Sequence, residues 1–191
     1  MQALATLVLP SGVAANTQLL FDYWCSIRGQ EIVPCRSDLR PVAILPLLPG
    51  IMILEYRSDG ALVYRLAGTA CAETLGIDLT GTNLLDLIAP HQRDKAVHRL
   101  NIVRDHPCGL LVYEKLVTKY KTPFVAEVIY LPLRDRTGHI TQLLGCVSVI
   151  EWGEKRAITN APRPMTAVAA QFLDIGAGLP QTIPGEIRRA V

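Results

Sequence analysis

Aromatic residues make up only 6% of this chain and charged residues only 19%, and neither class forms a concentrated patch. The formal net charge is +2, and the richest basic segment, with Arg93, Lys95, Arg99 and Arg104, is broken by Asp94 and Asp105. Tracking a phosphate backbone takes a contiguous basic stripe, so no nucleic-acid partner is expected. The five cysteines, Cys25, Cys35, Cys71, Cys108 and Cys146, are odd in number and lack CxxC spacing. That excludes a disulfide framework and a zinc knuckle and favours a reducing compartment. The apolar stretch at 41–54 is too short to span a bilayer and is cut by Pro46 and Pro49. The first 16 residues lack the basic start of a signal peptide. No membrane association and a cytoplasmic location are therefore expected. "GTACAETLG" (68–76) lacks the lysine of a phosphate loop, and the GxGxxG dinucleotide fingerprint is missing. No Ser/His/Asp or Cys/His arrangement is discernible, so no catalytic residue and no metal ligand is assigned.

What is present is an apolar half, enough in 191 residues for one domain with a sizeable core. Leu20, Tyr23, Trp24 and Ile27 recur at helical spacing and predict a helix over 17–28, stopped by Gly29. A proline-punctuated connector follows. Strands at 51–56 and 62–67 flank "RSDG", whose Asp59-Gly60 pair is a hairpin signal. Short helices are expected at 69–75 and 82–88. A longer one, from Pro90 to about Asp105, carries Ala96, Leu100 and Val103 on one stripe and His91 and His98 on the other side. Three β-rich runs, 109–120, 123–133 and 139–152, complete the pattern, with Pro132 expected at a strand end or bulge. Helix, two strands, helical crossover and three strands fit an α+β fold: a five-stranded antiparallel sheet with helices on one face. The expected organisation is an N-terminal tail (1–16), a domain (17–152) and a C-terminal tail (153–191), in which "MTAVAAQFLDI" forms a short docked helix or stays mobile.

Two motifs give this layout a family likeness. Trp24, Arg28, Pro34, Arg36, Asp38 and Pro41 form the first; Tyr64-Arg65-Leu66-Ala67-Gly68-Thr69, Gly76 and Asp78-Leu79-Thr80-Gly81 form the second. Together with the terminal hairpin "LPLRDRTGHITQLLG", they resemble the bacterial PAS family of stand-alone sensory proteins. The resemblance covers roughly 17–152. It implies a PAS-like α+β fold with an added N-terminal helix and a non-enzymatic role in signal transduction, binding a small molecule or a signalling protein.

Within the second motif, Gly68 lets the chain leave its strand, Thr69 is expected to N-cap the next helix, and Gly76 to end it in the left-handed region. Tyr64, Arg65, Thr69 and Cys71 are the candidate ligand contacts, because crossover helices of a PAS-like fold wall the cavity that faces the sheet. Arg65 has an alternative role as an ion-pair partner of Asp78. The cofactor is unknown. Haem is unsupported, since His91 and His98 lie opposite the apolar stripe, His106 ends the helix and His139 sits at a turn. Flavin photochemistry is unsupported because neither Cys71 nor Cys108 lies in an asparagine–cysteine–arginine context. The alternative is a small-molecule enzyme on a cone-shaped, ketosteroid-isomerase-like fold. It would use Glu73, Asp86, Glu114 or Glu127 with Tyr113 or Tyr130; Glu114 and Glu127 read more simply as solvent-facing. The N-terminal helix is expected to pack on the core or to mediate a homodimer.

Overall fold

The computed structural model describes residues 7–153 and 164–180. Six strands form one antiparallel sheet in the order β2-β1-β5-β4-β3-β6: β1 Ile51–Tyr56, β2 Leu62–Ala67, β3 Gly109–Val117, β4 Pro123–Arg134, β5 Ile140–Trp152 and β6 Thr166–Leu173. The first hairpin follows its turn chemistry. Gly60 sits at φ 84°, and the Asp59 carboxylate accepts the Ala61 N–H at 3.0 Å.

Helices cover both faces. On one face lie α2 (Thr69–Leu75), α3 (Leu84–Leu87) and α4 (Arg93–Asp105). On the other lie α1 (Ala15–Ile27) and a 3₁₀ segment, Pro41–Gly50. The central strand β4 is therefore buried on both sides. Phe124, Ala126, Val128 and Tyr130 face the core under α2–α4, while Ile129, Leu131 and Leu133 face the core under α1. A strand covered twice loses the polar alternation of a half-exposed one.

The apolar side of α1 is occupied by this chain's own sheet. Leu20, Phe21 and Trp24 are fully buried, and the Trp24 indole donates to the Pro132 carbonyl at 2.9 Å. Pro132 itself is tolerated inside β4 because the pairing of β3 with β4 ends at Leu110–Tyr130. No side chain caps the start of α1. Instead, the Ala14 N–H donates to the Glu127 carboxylate at 2.9 Å, so β4 places an anion at the helix N-terminus.

The C-terminal segment departs from expectation. Thr166–Leu173 is a strand along the open edge of β3, not a helix. Alanine-rich sequence favours helix locally. The unpaired backbone groups of β3 offer a ladder instead, with Ala170 and Phe172 buried in the core. Gly68 rather than Thr69 is the N-cap of α2, and a side chain at Gly68 would collide with the Leu48 and Pro49 carbonyl oxygens. Gly76 ends that helix at φ 75°, in the left-handed region.

Candidate functional site

Between α2 and the sheet lies a cavity of about 100 Å³. Strands β1 to β5 and helix α2 all line it, chiefly with apolar side chains such as Met52, Leu116, Phe124 and Val147. The polar groups that reach it are Tyr64 from β2, Cys71 and Thr74 from α2, Glu114 from β3 and Tyr130 from β4. Tyr64 and Tyr130 are each 3% exposed and Glu114 is 7% exposed. Among the described residues, no protein group hydrogen-bonds either phenol hydroxyl or the Glu114 carboxyl.

Burial dominates the electrostatics. It pushes the Glu114 carboxyl up to about 7, against the opposing pull of the Arg99 guanidinium. Burial likewise raises both tyrosines far above the ordinary phenol range, with the Glu114 charge adding to the effect. The Cys71 thiol is raised by burial as well, so it is an inert thiol rather than a nucleophile. Beyond Glu114 and Tyr130 is a second cavity of about 30 Å³, lined also by Arg99 and Gln92 of the α4 region. Glu114 thus stands in the wall between the two.

Glu114 gets there by strand register. It is in phase with Leu110, Val112 and Leu116, all buried in the same core. Its ladder partners are irregular on both sides. The pairing of β3 with β6 slips between Tyr113 and Glu114, and that of β4 with β5 slips at Ala126, the residue opposite Glu114. Such bulges re-aim side chains locally. The expectation that Glu114 and Glu127 face solvent is therefore overturned for both, since Glu127 is 1% exposed on the α1 face. The phase of Glu114 with three apolar residues was visible in the sequence. What could not be seen was that both faces of β3 and β4 are covered.

Met165, just before β6, lines both cavities. Its backbone is fixed to the α3 end: the Met165 N–H donates to Leu87 and the Ala89 N–H donates to Met165. The Gln92 side chain then clamps Ala167, donating to its carbonyl at 3.2 Å and accepting its N–H at 2.8 Å. The C-terminal strand is in this way attached to the cavity wall. No sequence signal pointed to Met165.

The four sequence candidates are not brought together. Tyr64 and Cys71 line the cavity under α2. Thr69 lines a separate open groove of about 370 Å³ beneath the 3₁₀ segment, with Arg36, Leu48 and Leu66. Arg65 is exposed and pairs with Glu55 at 3.4 Å, not with Asp78, whose carboxylate accepts the Thr80 N–H. Of the enzyme candidates, Glu114 and Tyr130 share the cavity.

The cavity is well below the 300–1,000 Å³ or so of sites that hold drug-sized ligands. Neither a flavin ring system nor a porphyrin fits in it. His91 is exposed in the 3₁₀ turn Pro90–Gln92 and His98 on α4, His106 contacts the Gly178 carbonyl, and His139 lies in the β4–β5 turn, so no histidine lines the cavity. Among the described residues no group of three or more His, Cys, Asp or Glu is placed to hold a metal ion. No described helix is long and apolar enough to cross a membrane.

The chain belongs to the PAS domain family, whose model matches residues 13–148. Among solved structures, it is similar to a Light-Oxygen-Voltage domain studied with a flavin analogue, at 18% identity and a TM-score of 0.47 over 58% of this chain and 83% of that one. It is similar to the LOV domain of the blue-light photoreceptor Aureochrome1, at 19% identity and a TM-score of 0.44 over 57% and 87% of the two chains. The Vibrio cholerae VqmA dimer is a third likeness, at 16% identity and a TM-score of 0.46 over 59% of this chain and 52% of that one. A search of curated proteins found no match.

Proposed function

We propose that this PAS domain is a non-enzymatic sensor in bacterial signal transduction that binds a small molecule in the cavity under α2 and passes its occupancy to a protein partner. The observation that carries this reading is Glu114: a carboxyl 7% exposed, aimed at a cavity, with no hydrogen-bond partner among the described residues. Burying such a group without a partner costs several kcal/mol at the upper end, so it has no place in a purely structural core. Tyr64, Cys71 and Tyr130 complete the proposed contact set, and the geometry of Arg65 and Thr69 leaves them outside it. The sensing unit extends beyond 152 to Leu173, because β6 completes the sheet and Met165 closes the cavity.

The same strand is a route for output. A ligand that displaces Met165 strains the Gln92–Ala167 clamp and loosens β6 from β3, a shift between two conformations that a partner can read. Dimerisation through α1 would use its outer side, where Leu19 is 54% exposed, since its apolar stripe is already covered. All five cysteines are free thiols, which supports a reducing, cytoplasmic setting.

Native mass spectrometry of freshly purified protein tests the reading. A co-purified small molecule that is lost in a Met52→Trp variant, which fills the cavity, is the expected result. A second reading, proton transfer by Glu114 with Tyr130, draws on the same raised carboxyl. It predicts that the captured molecule is isomerised, or exchanges C–H protons for deuterium in heavy water, on incubation; an unchanged proton NMR spectrum with no deuterium uptake over many equivalents of ligand sides with the sensor.

A further inference from the structure

The chemistry of the ligand follows from the groups that meet the cavity, taking as given the reading of that cavity as a ligand site. Tyr64, Tyr130 and Glu114 come from three different strands, are each more than nine-tenths buried, and lack protein hydrogen-bond partners among the described residues. Leaving buried hydroxyls unpaired is unfavourable, so the natural occupant supplies what they lack. A phenol and a protonated carboxyl each offer an O–H, so three donors converge on one small space. The rest of the wall is hydrocarbon or aromatic: Met52, Leu116, Phe124 and Val147 offer contact area and no polar atoms beyond sulfur.

Charge narrows the choice. Arg99, 8% exposed, lines only the adjoining smaller cavity, with Glu114 between the two, so among the described residues the wall of the main cavity carries no cationic side chain. An ion of either sign would have to shed its hydration against a wall that is mostly hydrocarbon, a cost that a neutral ligand avoids. A plain hydrocarbon fits the walls but leaves all three oxygens unpaired. Size sets the upper bound: a dry engineered cavity of about 150 Å³ takes benzene, and this one is smaller, at about 100 Å³.

We infer that the cavity binds a small neutral molecule of about six or fewer non-hydrogen atoms, apolar except for one hydrogen-bond acceptor such as a carbonyl oxygen, held by Tyr64, Tyr130 and Glu114. A carbonyl oxygen has two lone pairs and takes two of the three donors directly. Its hydrocarbon remainder packs against Met52, Phe124 and Met165.

Three isosteric probes on the full chain separate the possibilities: cyclopentanone, methylenecyclopentane and cyclopentylamine, each titrated against the protein's two-dimensional NMR spectrum. Cyclopentanone is expected to bind about tenfold more tightly than methylenecyclopentane, the effect of about one net hydrogen bond. Tyr64→Phe or Tyr130→Phe should weaken the ketone several-fold and leave the hydrocarbon unchanged. Equal affinity for ketone and hydrocarbon, tightest binding of the amine, or ketone binding indifferent to both tyrosine variants would overturn the ligand class while leaving the cavity a ligand site. Failure of all three probes to perturb the residues lining the cavity would remove the ligand site itself, and the proposed function with it.

Discussion

The sheet buries one glutamate on each face, and the fold treats the two differently. Glu127, on the α1 side, is 1% exposed and accepts the Ala14 N–H at 2.9 Å, capping a helix that has no side-chain cap of its own. Glu114, on the α2–α4 side, is 7% exposed, borders two cavities and has no hydrogen-bond partner among the described residues. Around Glu127 the face is closed by Leu20, Phe21 and Trp24; around Glu114 there is room for a molecule. The same residue type caps a helix on one face and borders cavities on the other, and what separates them is whether the protein itself satisfies the carboxyl.

The contrast can be broken at several strengths. Trp24→Ala should have the largest effect, a loss of about 3–5 kcal/mol from the emptied volume alone. The orphaned Pro132 carbonyl adds to it. A urea melt measures it, and a loss below about 1 kcal/mol would mean that the α1 face is not the structural one.

The pH dependence of stability comes next. Glu114 titrates at about 7 in the folded protein, above its ordinary value of 4.5. The folded state therefore holds the proton more tightly, and stability falls as pH rises from about 4.5 through about 7, by on the order of 3 kcal/mol at most. Tyr64 and Tyr130, the other acids beside it, stay neutral over that window, so within the cavity the slope belongs to Glu114. In Glu114→Gln the slope over this range should be largely gone, and stability at pH 8 should equal or exceed that of the parent protein. A variant that keeps the parent slope would show that another group carries it.

Glu127→Gln should act in the opposite direction at pH 8. It removes the negative charge from the α1 N-terminus and destabilises by about 1 kcal/mol. If the two Gln variants shift the melting midpoint the same way, the distinction between the faces fails. Arg65→Ala should have the smallest effect, within about 1 kcal/mol, because its pair with Glu55 is largely in solvent. It should leave probe binding at the cavity untouched; a loss of binding would return Arg65 to the site.

Much of the fold was legible before any coordinates. The bounds of β1 and β2, the Asp59-Gly60 turn, the left-handed stop at Gly76 and the stripe of α1 follow from turn chemistry and periodicity, which act within a few residues. The hairpin-rich order and the PAS motifs carried the family. Of the four residues proposed from the sequence as ligand contacts, Tyr64 and Cys71 line the cavity, and Arg65 and Thr69 do not. Glu114 and Tyr130 were named only for the alternative enzyme site, with Glu114 expected to face solvent, and Met165 entered only with the tertiary structure. Whether a strand position faces water depends on what packs over it, and β3 and β4 are covered on both faces by segments distant in the chain. The fate of residues 166–173 shows the same limit: a short docked helix or a mobile tail was expected there, and the open edge of β3 made them a strand. Local sequence determined which elements form. The long-range pairing and covering of those elements decided which carboxyl is a helix cap and which borders a cavity, because burial and hydrogen-bond satisfaction exist only once distant segments meet.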